Sequence, residues 1–469
     1  MADEVIVKDE HIEVDDELMN DILDLVKSKS KLLLKNILSD LYPADTAQII
    51  NRLEFEDGVF LFTLLSTEDA SKVIVELDDD HREHFLQTLK SKELSEIVEV
   101  LPTDEATDIV SELPKQKAEE VLDELSTKDS ADLQELLKYD ENTAGGIMQK
   151  EVITVHKNDT VKKAIQAVRR FAKEDEDVHL HYFIYVIDDE GVLVGMLPVA
   201  NLILISPNRR IYKVMETDVI NVNTTVDQEE VAQIFKKYNL VSIPVVDFRG
   251  RLVGKIMVDD IVDVMQEEHD EDVAKMIGSD ADELESRSPS EIALLRLPWV
   301  LITLFIELLA GFVIGEFDQT LKQLILLTSF MPIISAISGN TGLQSAAIIV
   351  RGIATGHVDL KRWWVPISRQ MQTSLIIGGA TGSVIGMIAG VWYANDLLSA
   401  KILFGSVVGT SMFISVNISG LVGTTVPMIS KSLGFDPAIT AGPFETAFQD
   451  VVGITIFLSM ATLLLHWLI

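Results

Sequence analysis

The sequence contains no cysteine among its 469 residues. This absence excludes disulfide bonds and thiolate metal sites. Basic side chains are also scarce, because 39 Lys and Arg stand against 74 Asp and Glu, which gives a net charge of −35. Such acidity argues against nucleic-acid binding, since phosphates require basic partners. It suits a protein that binds cations, or one whose charge keeps it soluble.

Signatures of enzymes and of secretion are missing too. The sequence has no GxxxxGK[ST] loop, no kinase motif set and no nucleophile–base arrangement. We therefore expect neither an enzyme nor an ATP-driven pump. The start, MADEVIVKDEH, has no basic segment followed by an apolar run, so we expect no signal peptide and a cytosolic acidic part.

The charge that is present is distributed very unevenly. Residues 1–290 hold 65 acidic and 31 basic side chains, a net of −34, whereas residues 291–469 hold 9 and 8, a net of −1. The second part contains five long apolar runs, and about 20 apolar residues suffice to cross the hydrocarbon of a membrane. We predict a transmembrane domain over residues 293–469 with five helices, at about 294–317, 322–351, 367–394, 401–430 and 437–468.

Lys and Arg flank these helices asymmetrically. If the N-terminus is inside, the outer loops hold two basic residues, Lys322 and Lys401. The inner flanks hold seven: Arg287, Arg296, Arg351, Lys361, Arg362, Arg369 and Lys431. This distribution obeys the positive-inside rule. It predicts a multi-pass protein of the inner or plasma membrane with its N-terminal domains in the cytoplasm and its C-terminus outside.

The first block of the chain carries a twelve-residue repeat. Segments that favour helix starts, such as STED, PTDE and STKD, separate leucines at positions 41, 53, 65, 77, 89, 101, 113, 125 and 137. Twelve residues accommodate one short helix and a turn, and such helices bury their apolar sides only when stacked. After an N-terminal segment at 1–35, we predict an all-α helical-repeat domain at 36–140, for which a purely structural scaffold is the simpler interpretation.

The second block is a tandem repeat. MQKEVITV from Met148 matches METDVINV from Met215, and VIDDEGVLVG from Val186 matches VVDFRGRLVG from Val245. Each copy reads as strand, amphipathic helix, hairpin and helix. The pair resembles cystathionine-β-synthase (CBS) domains, an α/β module that often binds adenine nucleotides, and we place the copies at 141–207 and 208–266. We attribute His179 and His181 in the longer first copy to packing or exposure rather than to metal binding.

Acidic and amide side chains inside apolar helices need an explanation. Asp450 lies within the last run, where a charge costs about 2.5–3.5 kcal/mol on insertion scales. It shares a helical stripe with Thr446, Gly453 and Phe457.

In the segment SFMPIISAISGNTGLQS, we expect Pro332, Gly339 and Gly342 to loosen the helix. Asn340, Gln344 and backbone carbonyls would then line a water-filled path. The alternative is small-residue helix packing. We attribute Glu445 to interfacial exposure and leave Glu307 open.

Two of these segments, SGNTGLQSAAIIVRG and DPAITAGPFETAFQDVVGITIFL, together with the domain order, resemble the MgtE family of magnesium transporters. The resemblance implies a homodimer in the lipid membrane with the pore on its two-fold axis, so that two copies of Asp450 face one Mg²⁺. It implies a linking, or plug, helix, here 267–292, and Mg²⁺ as both transported and regulatory ion, with ATP as a candidate ligand of the CBS pair. The chain departs from the family pattern at Asn239, Ser338 and Leu343.

The resemblance also implies that cytosolic Mg²⁺ closes the pore by bridging acidic surfaces of the soluble regions. The matching residues here are Asp104, Asp108, Asp227, Glu229, Asp260, Asp263, Glu268, Glu271 and Asp272. Facing carboxylates repel each other, so the closed arrangement is favoured only while divalent ions bind between them. A membrane-anchored ion or nucleotide sensor without transport is the alternative, but it leaves Asp450 and SGNTGLQS unexplained.

The topology is directly testable. A cysteine added after Ile469 should react with a membrane-impermeant thiol reagent in intact cells, because the chain itself has no competing cysteine. Labelling in inverted vesicles but not in intact cells would contradict an external C-terminus.

Overall fold

The computed structural model describes residues 14–174, 182–279, 288–393 and 397–468. The chain divides into two compact units, Met1–Met265 and Gln266–Ile469. Each unit has its own apolar core, and each is considered separately.

Short helices fill the first part of the first unit. The described residues contain α1 (Asp16–Lys27), α2 (Lys31–Asp40), α3 (Pro43–Ile50), α4 (Phe55–Phe62), α5 (Thr67–Val75), α6 (Asp79–Thr88), α7 (Ser91–Val98), α8 (Thr103–Glu112), α9 (Lys115–Glu124) and α10 (Thr127–Leu136). The expected start signals operate at two of them, since Ser66 and Ser126 each accept a hydrogen bond from a first-turn backbone N–H. At PTDE, Pro102 occupies the cap position and provides no side-chain cap.

The repeated leucines lie between these helices and build their common core. Seven of the nine are buried, Leu65 is partly buried and Leu137 is 37% exposed. Each short helix therefore covers its apolar side with its neighbours, as the repeat predicts. The helical-repeat domain is confirmed.

The second part of the first unit contains two small sheets with the same topology. The first copy comprises β1 (Thr154–His156), α11 (Val161–Glu174), β2 (Phe183–Ile187) and β3 (Leu193–Pro198). The second comprises β4 (Val222–Asn223), α12 (Gln228–Tyr238), β5 (Ser242–Val246) and β6 (Leu252–Met257). In each sheet the first strand pairs parallel to the second and the second antiparallel to the third. The predicted tandem α/β repeat is confirmed.

The two copies end differently. The first ends in a 3-10 helix, Val199–Ile203, whereas the second continues into α13 (Val258–Ile277). This single helix contains both the end of the second repeat and the start of the predicted linking segment. Asn239, one of the departures from the family pattern, ends α12 in the left-handed conformation with φ 51°. Asn tolerates this conformation better than most residues, which gives the departure a local structural reason.

The second unit consists of long apolar helices. They are α14 (Pro289–Glu316), α15 (Asp318–Gln323), α16 (Met331–Ala354), α17 (Trp364–Trp392), α18 (Leu398–Ser432), α19 (Pro437–Thr440) and α20 (Pro443–Leu468), with 3-10 turns at Ile325–Ser329 and Leu360–Arg362. Over the described ranges, five segments are long and apolar enough to cross a membrane. The predicted number of spans is confirmed.

Small residues allow these helices to approach closely. A Cβ at Gly382 would meet the carbonyl oxygen of Gly409, and one at Gly386 would meet that of Gly405, so α17 and α18 touch backbone to backbone. Close approach through small residues is a common mode of helix packing in membranes, because lipid provides no hydrophobic driving force between helices.

Candidate functional site

Helix α16 is regular, which corrects one expectation. Pro332 lies in its first turn, where proline is compatible with a helix, and the helix then continues without interruption to Ala354. Gly339 and Gly342 do not loosen it. They face α20 and α18, where a larger side chain would meet Thr446, Asp450, Glu445 or Ser419. The alternative interpretation, small-residue packing, describes these glycines correctly.

Asp450 is half-buried against that packed face of α16. Its Oδ1 atom accepts a hydrogen bond from the hydroxyl of Ser335 and would lie 3.7 Å from a Cβ at Gly339. Thr446 lies beside the same glycine, and Gly453 lies next to Ser338. The predicted stripe on α20 therefore exists, and within one chain it contacts α16.

Glu307 of α14 also reaches Asp450. The two carboxyl groups lie close enough to interact electrostatically. Two adjacent carboxylates repel each other, so such a pair either holds a proton or needs a cation to offset the repulsion. The sequence alone gave no role for Glu307. It did not predict that this acid of the first span lies beside Asp450 of the last span.

Asn340 and Gln344 lie on a different face of α16. Both side chains are exposed, whereas Ser335, Ser338, Gly339 and Gly342 are buried. Within one chain the structure therefore does not bring the two amides together with Asp450. Ser338, the second departure from the family pattern, is fully buried, and its carbonyl oxygen accepts a hydrogen bond from Ser419 of α18.

The interpretation of Glu445 as an exposed interfacial residue is wrong. Its side chain is 2% exposed and lies at the meeting of α20 with α16 and α18. The sequence places it near the start of an apolar run, but its side chain lies beside Gly342 of α16 and Ser419 of α18, where these helices enclose it.

A second group of acids lies in the first unit, where α8 approaches the end of the second α/β repeat. Asp104 is 6% exposed and accepts hydrogen bonds from the side chain of Gln149 and the backbone of Glu105, both at 3.0 Å. Asp260 accepts one from the backbone N–H of Met257 at 3.1 Å. We call Asp104, Glu105, Asp108, Glu151, Asp259, Asp260 and Asp263 the acidic cluster.

Burial and mutual repulsion raise the pKa values of four carboxyl groups in this cluster. Burial, with repulsion from Glu151, raises the pKa of Asp104 to about 6. Burial, with repulsion from Asp104 and Asp108, raises the pKa of Glu105 to about 8. Burial, with repulsion from Asp104 and Asp259, raises the pKa of Asp260 to about 8. Burial and Asp259 also raise the pKa of Asp263.

Basic residues do not neutralise the centre of the cluster. No Lys, Arg or His among the described residues forms an ion pair with Asp104, Glu105 or Asp260. Lys150, which directly precedes Glu151 in the sequence, pairs with Asp132 at 3.0 Å and Glu135 at 2.6 Å. Over the same described part of the chain, no three His, Asp or Glu side chains converge closely enough to hold a bare metal ion. The cluster suits an ion that retains part of its water shell.

The other predicted regulatory residues have different surroundings. Asp227 caps α12 by accepting a hydrogen bond from the backbone of Glu229 at 2.9 Å. Glu271 pairs with Lys275, and Glu268 and Asp272 lie on the same helix, α13. His179 and His181 lie outside the described residues.

The end of α13 contacts the membrane helices within the second unit. Lys275 bonds Asp436, the cap of α19, at 2.8 Å, and Met276 packs on an apolar cluster that includes Val350 and Ala438. Burial opposes the charge on Lys275, but its bonds to Asp436 and Glu271 prevail and raise its pKa. One lysine therefore joins α13 to the segment that leads into α20.

Comparison with known proteins places these sites in a family context. The model described as "Divalent cation transporter" matches residues 331–460, the MgtE intracellular N domain matches 41–142, and CBS domains match 144–207 and 211–267. The magnesium transporter MgtE of Bacillus subtilis is 32% identical, and the match covers 96% of this chain and 98% of that protein. The magnesium transporter MgtE of Thermus thermophilus is 31% identical, with 92% and 95% covered.

One solved structure is similar to about half of the chain. The cytosolic domain of the Mg²⁺ channel MgtE in complex with ATP is 32% identical, with a TM-score of 0.49, and the match covers 52% of this chain and 99% of that one.

The raised pKa values of the cluster predict a pH dependence. Groups that hold protons more tightly in the folded state stabilise it at acid pH, and this contribution is lost as the pH rises through their folded pKa values. Without divalent cations, the free energy of unfolding of the first unit should fall between about pH 4 and pH 8. Each unit of pKa shift corresponds to about 1.4 kcal/mol.

Asp260→Asn should reduce that loss, and thermal unfolding of the full-length protein at pH 5 and pH 8 measures it. Asp218→Asn, at an exposed carboxylate of the same α/β copy, is the matched control. Equal pH dependence in Asp260→Asn and in the control would contradict the mutual repulsion within the cluster.

Proposed function

The chain belongs to the MgtE family of magnesium transporters, and from that membership we propose a Mg²⁺-selective channel that imports Mg²⁺ down its electrochemical gradient and closes when cytosolic Mg²⁺ is high. Relatives along its whole length are named as transporters, which confirms that the chain is not an enzyme. The observation that carries the proposed conduction path is Asp450, a half-buried carboxyl inside the last span in contact with the acid Glu307.

Asp450 is suited to a hydrated dication. No Lys, Arg or His of the described residues pairs with it, so an ion in the path is the positive charge that can offset it. Mg²⁺ sheds its waters reluctantly and is bound through a few oxygen ligands that contact its water shell. In the proposed homodimer two copies of Asp450 face one ion.

The exposed amides of α16 fit the same proposal. Asn340 and Gln344 lie on a face that this chain leaves uncovered. A second copy would give that face a partner or a shared aqueous path, and we propose that the amide oxygens line the path in the dimer.

Membrane potential is the proposed driving force. The sequence has no phosphate-binding loop of the kind that ATP-driven pumps use. Moving a dication inward across 100 mV gains about 4.6 kcal/mol, twice the value for a single charge. With the N-terminal domains in the cytoplasm and the C-terminus outside, this gradient favours import.

The acidic cluster is the proposed sensor. Without divalent ions its carboxylates repel each other, and a partly hydrated Mg²⁺ between Asp104 and Asp260 would remove that repulsion. Because Asp260 lies in the first turn of α13, ion binding there would act on the helix that also carries Glu268, Glu271 and Asp272. We propose that these acids, with Asp108, Asp227, Glu229 and Asp263, bind further ions in the closed state.

Lys275 gives the sensor a route to the pore. Its bonds to Glu271 and Asp436 tie α13 to the segment before α20, and Asp450 is carried by α20. A shift of α13 would therefore act on the start of α19, the segment that precedes the helix with the pore acid. The matches to CBS domains support ATP as a further ligand of the α/β pair.

Replacing the pore acid tests conduction. Asp450→Asn preserves shape and removes two charges per dimer. Two unit charges near one dication contribute several kcal/mol, about 4 kcal/mol for each charge pair at 4 Å with an effective dielectric constant of 20. Mg²⁺ uptake into liposomes should fall steeply, and discrimination against monovalent ions should weaken, while the protein still folds.

Glu316→Gln is the matched control, because Glu316 is an exposed acid at the end of the first span. It should leave uptake unchanged. Normal rate and selectivity in Asp450→Asn would show that this carboxyl is structural.

Removing the sensor tests gating. Deleting residues 1–270 eliminates the acidic cluster but keeps Glu271 and Lys275. The truncated channel should conduct Mg²⁺ and no longer close when millimolar Mg²⁺ is added on the cytosolic side, as measured by patch recording. Closure with an unchanged concentration dependence would place the sensor in the membrane domain.

A further inference from the structure

Two buried side chains on α20 are incompletely bonded. Glu445 and Gln449 lie one turn apart and are 2% and 1% exposed. The amide nitrogen Nε2 of Gln449 donates to Oε1 of Glu445 at 3.2 Å. The remaining oxygens, Oε2 of Glu445 and Oε1 of Gln449, have no hydrogen-bond partner within the described protein. Both of these neighbouring buried oxygens therefore lack a hydrogen-bond donor.

The surroundings are too tight for a metal ion. A Cβ added at Gly342 of α16 would collide with Oε1 of Glu445 and with the hydroxyl of Ser419, and Gly423 of α18 touches the backbone of Gly342. The Ser419 hydroxyl already donates to the carbonyl of Ser338. Mg²⁺ requires six oxygen ligands in near-octahedral geometry, and one carboxylate in close-packed helices does not provide them.

No neighbouring charge compensates an ionised Glu445. The described helices packed against α20 carry these charged residues: Glu291, Arg296, Glu307, Glu316, Asp318, Lys322, Arg351, Lys401 and Lys431, with Asp436 at the cap of α19. None of them forms an ion pair or a hydrogen bond with Glu445 in the described structure. Glu307 interacts with Asp450, and Asp436 with Lys275. An unpaired buried carboxylate is strongly unfavourable, and such groups take up a proton instead.

We propose that Glu445 is a proton-binding site in which a neutral carboxylic acid and the amide of Gln449 form a reciprocal hydrogen-bonded pair. The proton on Oε2 of Glu445 is donated to Oε1 of Gln449, while Nε2 of Gln449 donates to Oε1 of Glu445. A single proton thereby satisfies both unpartnered oxygens. The site is separate from the pore acid, since Asp450 bonds Ser335 on another part of α16.

In this proposal, the proton on Glu445 stabilises the packing of α16, α18 and α20. If Glu445 ionises at alkaline pH, a negative charge is left between α16, α18 and α20 beside the glycine crossing at Gly342. That crossing should loosen, and Asp450, five residues further along α20, should shift with it. Proton binding at Glu445 would thus couple external or internal alkalinity to the geometry of the proposed pore.

Infrared difference spectroscopy of the full-length protein in lipid tests the site without relying on transport. At neutral pH, the spectrum of the wild type minus that of Glu445→Gln should contain the C=O stretch of a protonated carboxylic acid. Gln449→Met, which keeps the volume but removes the acceptor, should shift this band to higher frequency. Glu316→Gln, at an exposed acid, should leave the band intact.

The double variant Glu445→Gln with Gln449→Glu exchanges the acid and the amide and should restore the C=O band of a protonated carboxylic acid. A purely structural role of Glu445 does not predict this restored band. If Glu445→Gln does not fold, the frequency shift in Gln449→Met still decides the question. Loss of carboxylate rather than carboxylic-acid absorption in Glu445→Gln would overturn the proposal, as would a band that changes when Mg²⁺ is replaced by Ca²⁺. An unshifted band in Gln449→Met would also overturn it.

Discussion

Repulsion between carboxyl groups that form no ion pair with a described basic residue is the interaction on which the candidate sites of both units depend. In the first unit it acts between Asp104, Glu105 and Asp260, whose pKa values are raised by burial and by one another. In the second unit it acts between Glu307 and Asp450. At each place the folded chain brings acids together and leaves the compensating positive charge to a proton or a cation. Under the proposed function, cations that bind between these acids would stabilise one arrangement of them over another.

The glycines and serines of the membrane helices determine where those acids lie. Gly342 admits Glu445, because a Cβ at that position would collide with the carboxyl group, whereas a Cβ at Gly339 would lie in ordinary contact with Asp450. Ser335 and Ser419 then provide the hydroxyl groups that bond across the helices. Small residues therefore allow the helices to approach closely. This close approach determines which acids are buried and which are only half-buried.

Much of the architecture could be predicted from the sequence, because each signal has a direct physical cause. Three sequence patterns gave this information: the leucine period, the tandem α/β copies and the five apolar runs. In each of them, apolar side chains are buried only when several helices or strands, or a membrane, cover them. The candidate site was predicted less completely. Asp450 was identifiable as a charged residue in an apolar run. Its neighbour Glu307 is 143 residues away in the sequence, and only the fold brings the two together. Asn340 and Gln344 carry suitable oxygens, yet helical rotation places them on the exposed face of α16.

Glu445 shows most clearly why the remainder could not be predicted. Helical periodicity correctly separates it from the stripe of Asp450, since the two residues are five positions apart on α20. Periodicity does not reveal whether a face meets water, lipid or another helix, and that difference depends on where α16 and α18 cross. Because Gly342 lies at that crossing, the residue that resembles an interfacial acid in the sequence is sealed inside the bundle. Two acids on one helix thus have opposite surroundings. Asp450 is half-open and paired with another acid, which suits an exchangeable cation, whereas Glu445 is enclosed beside an amide, which suits a retained proton.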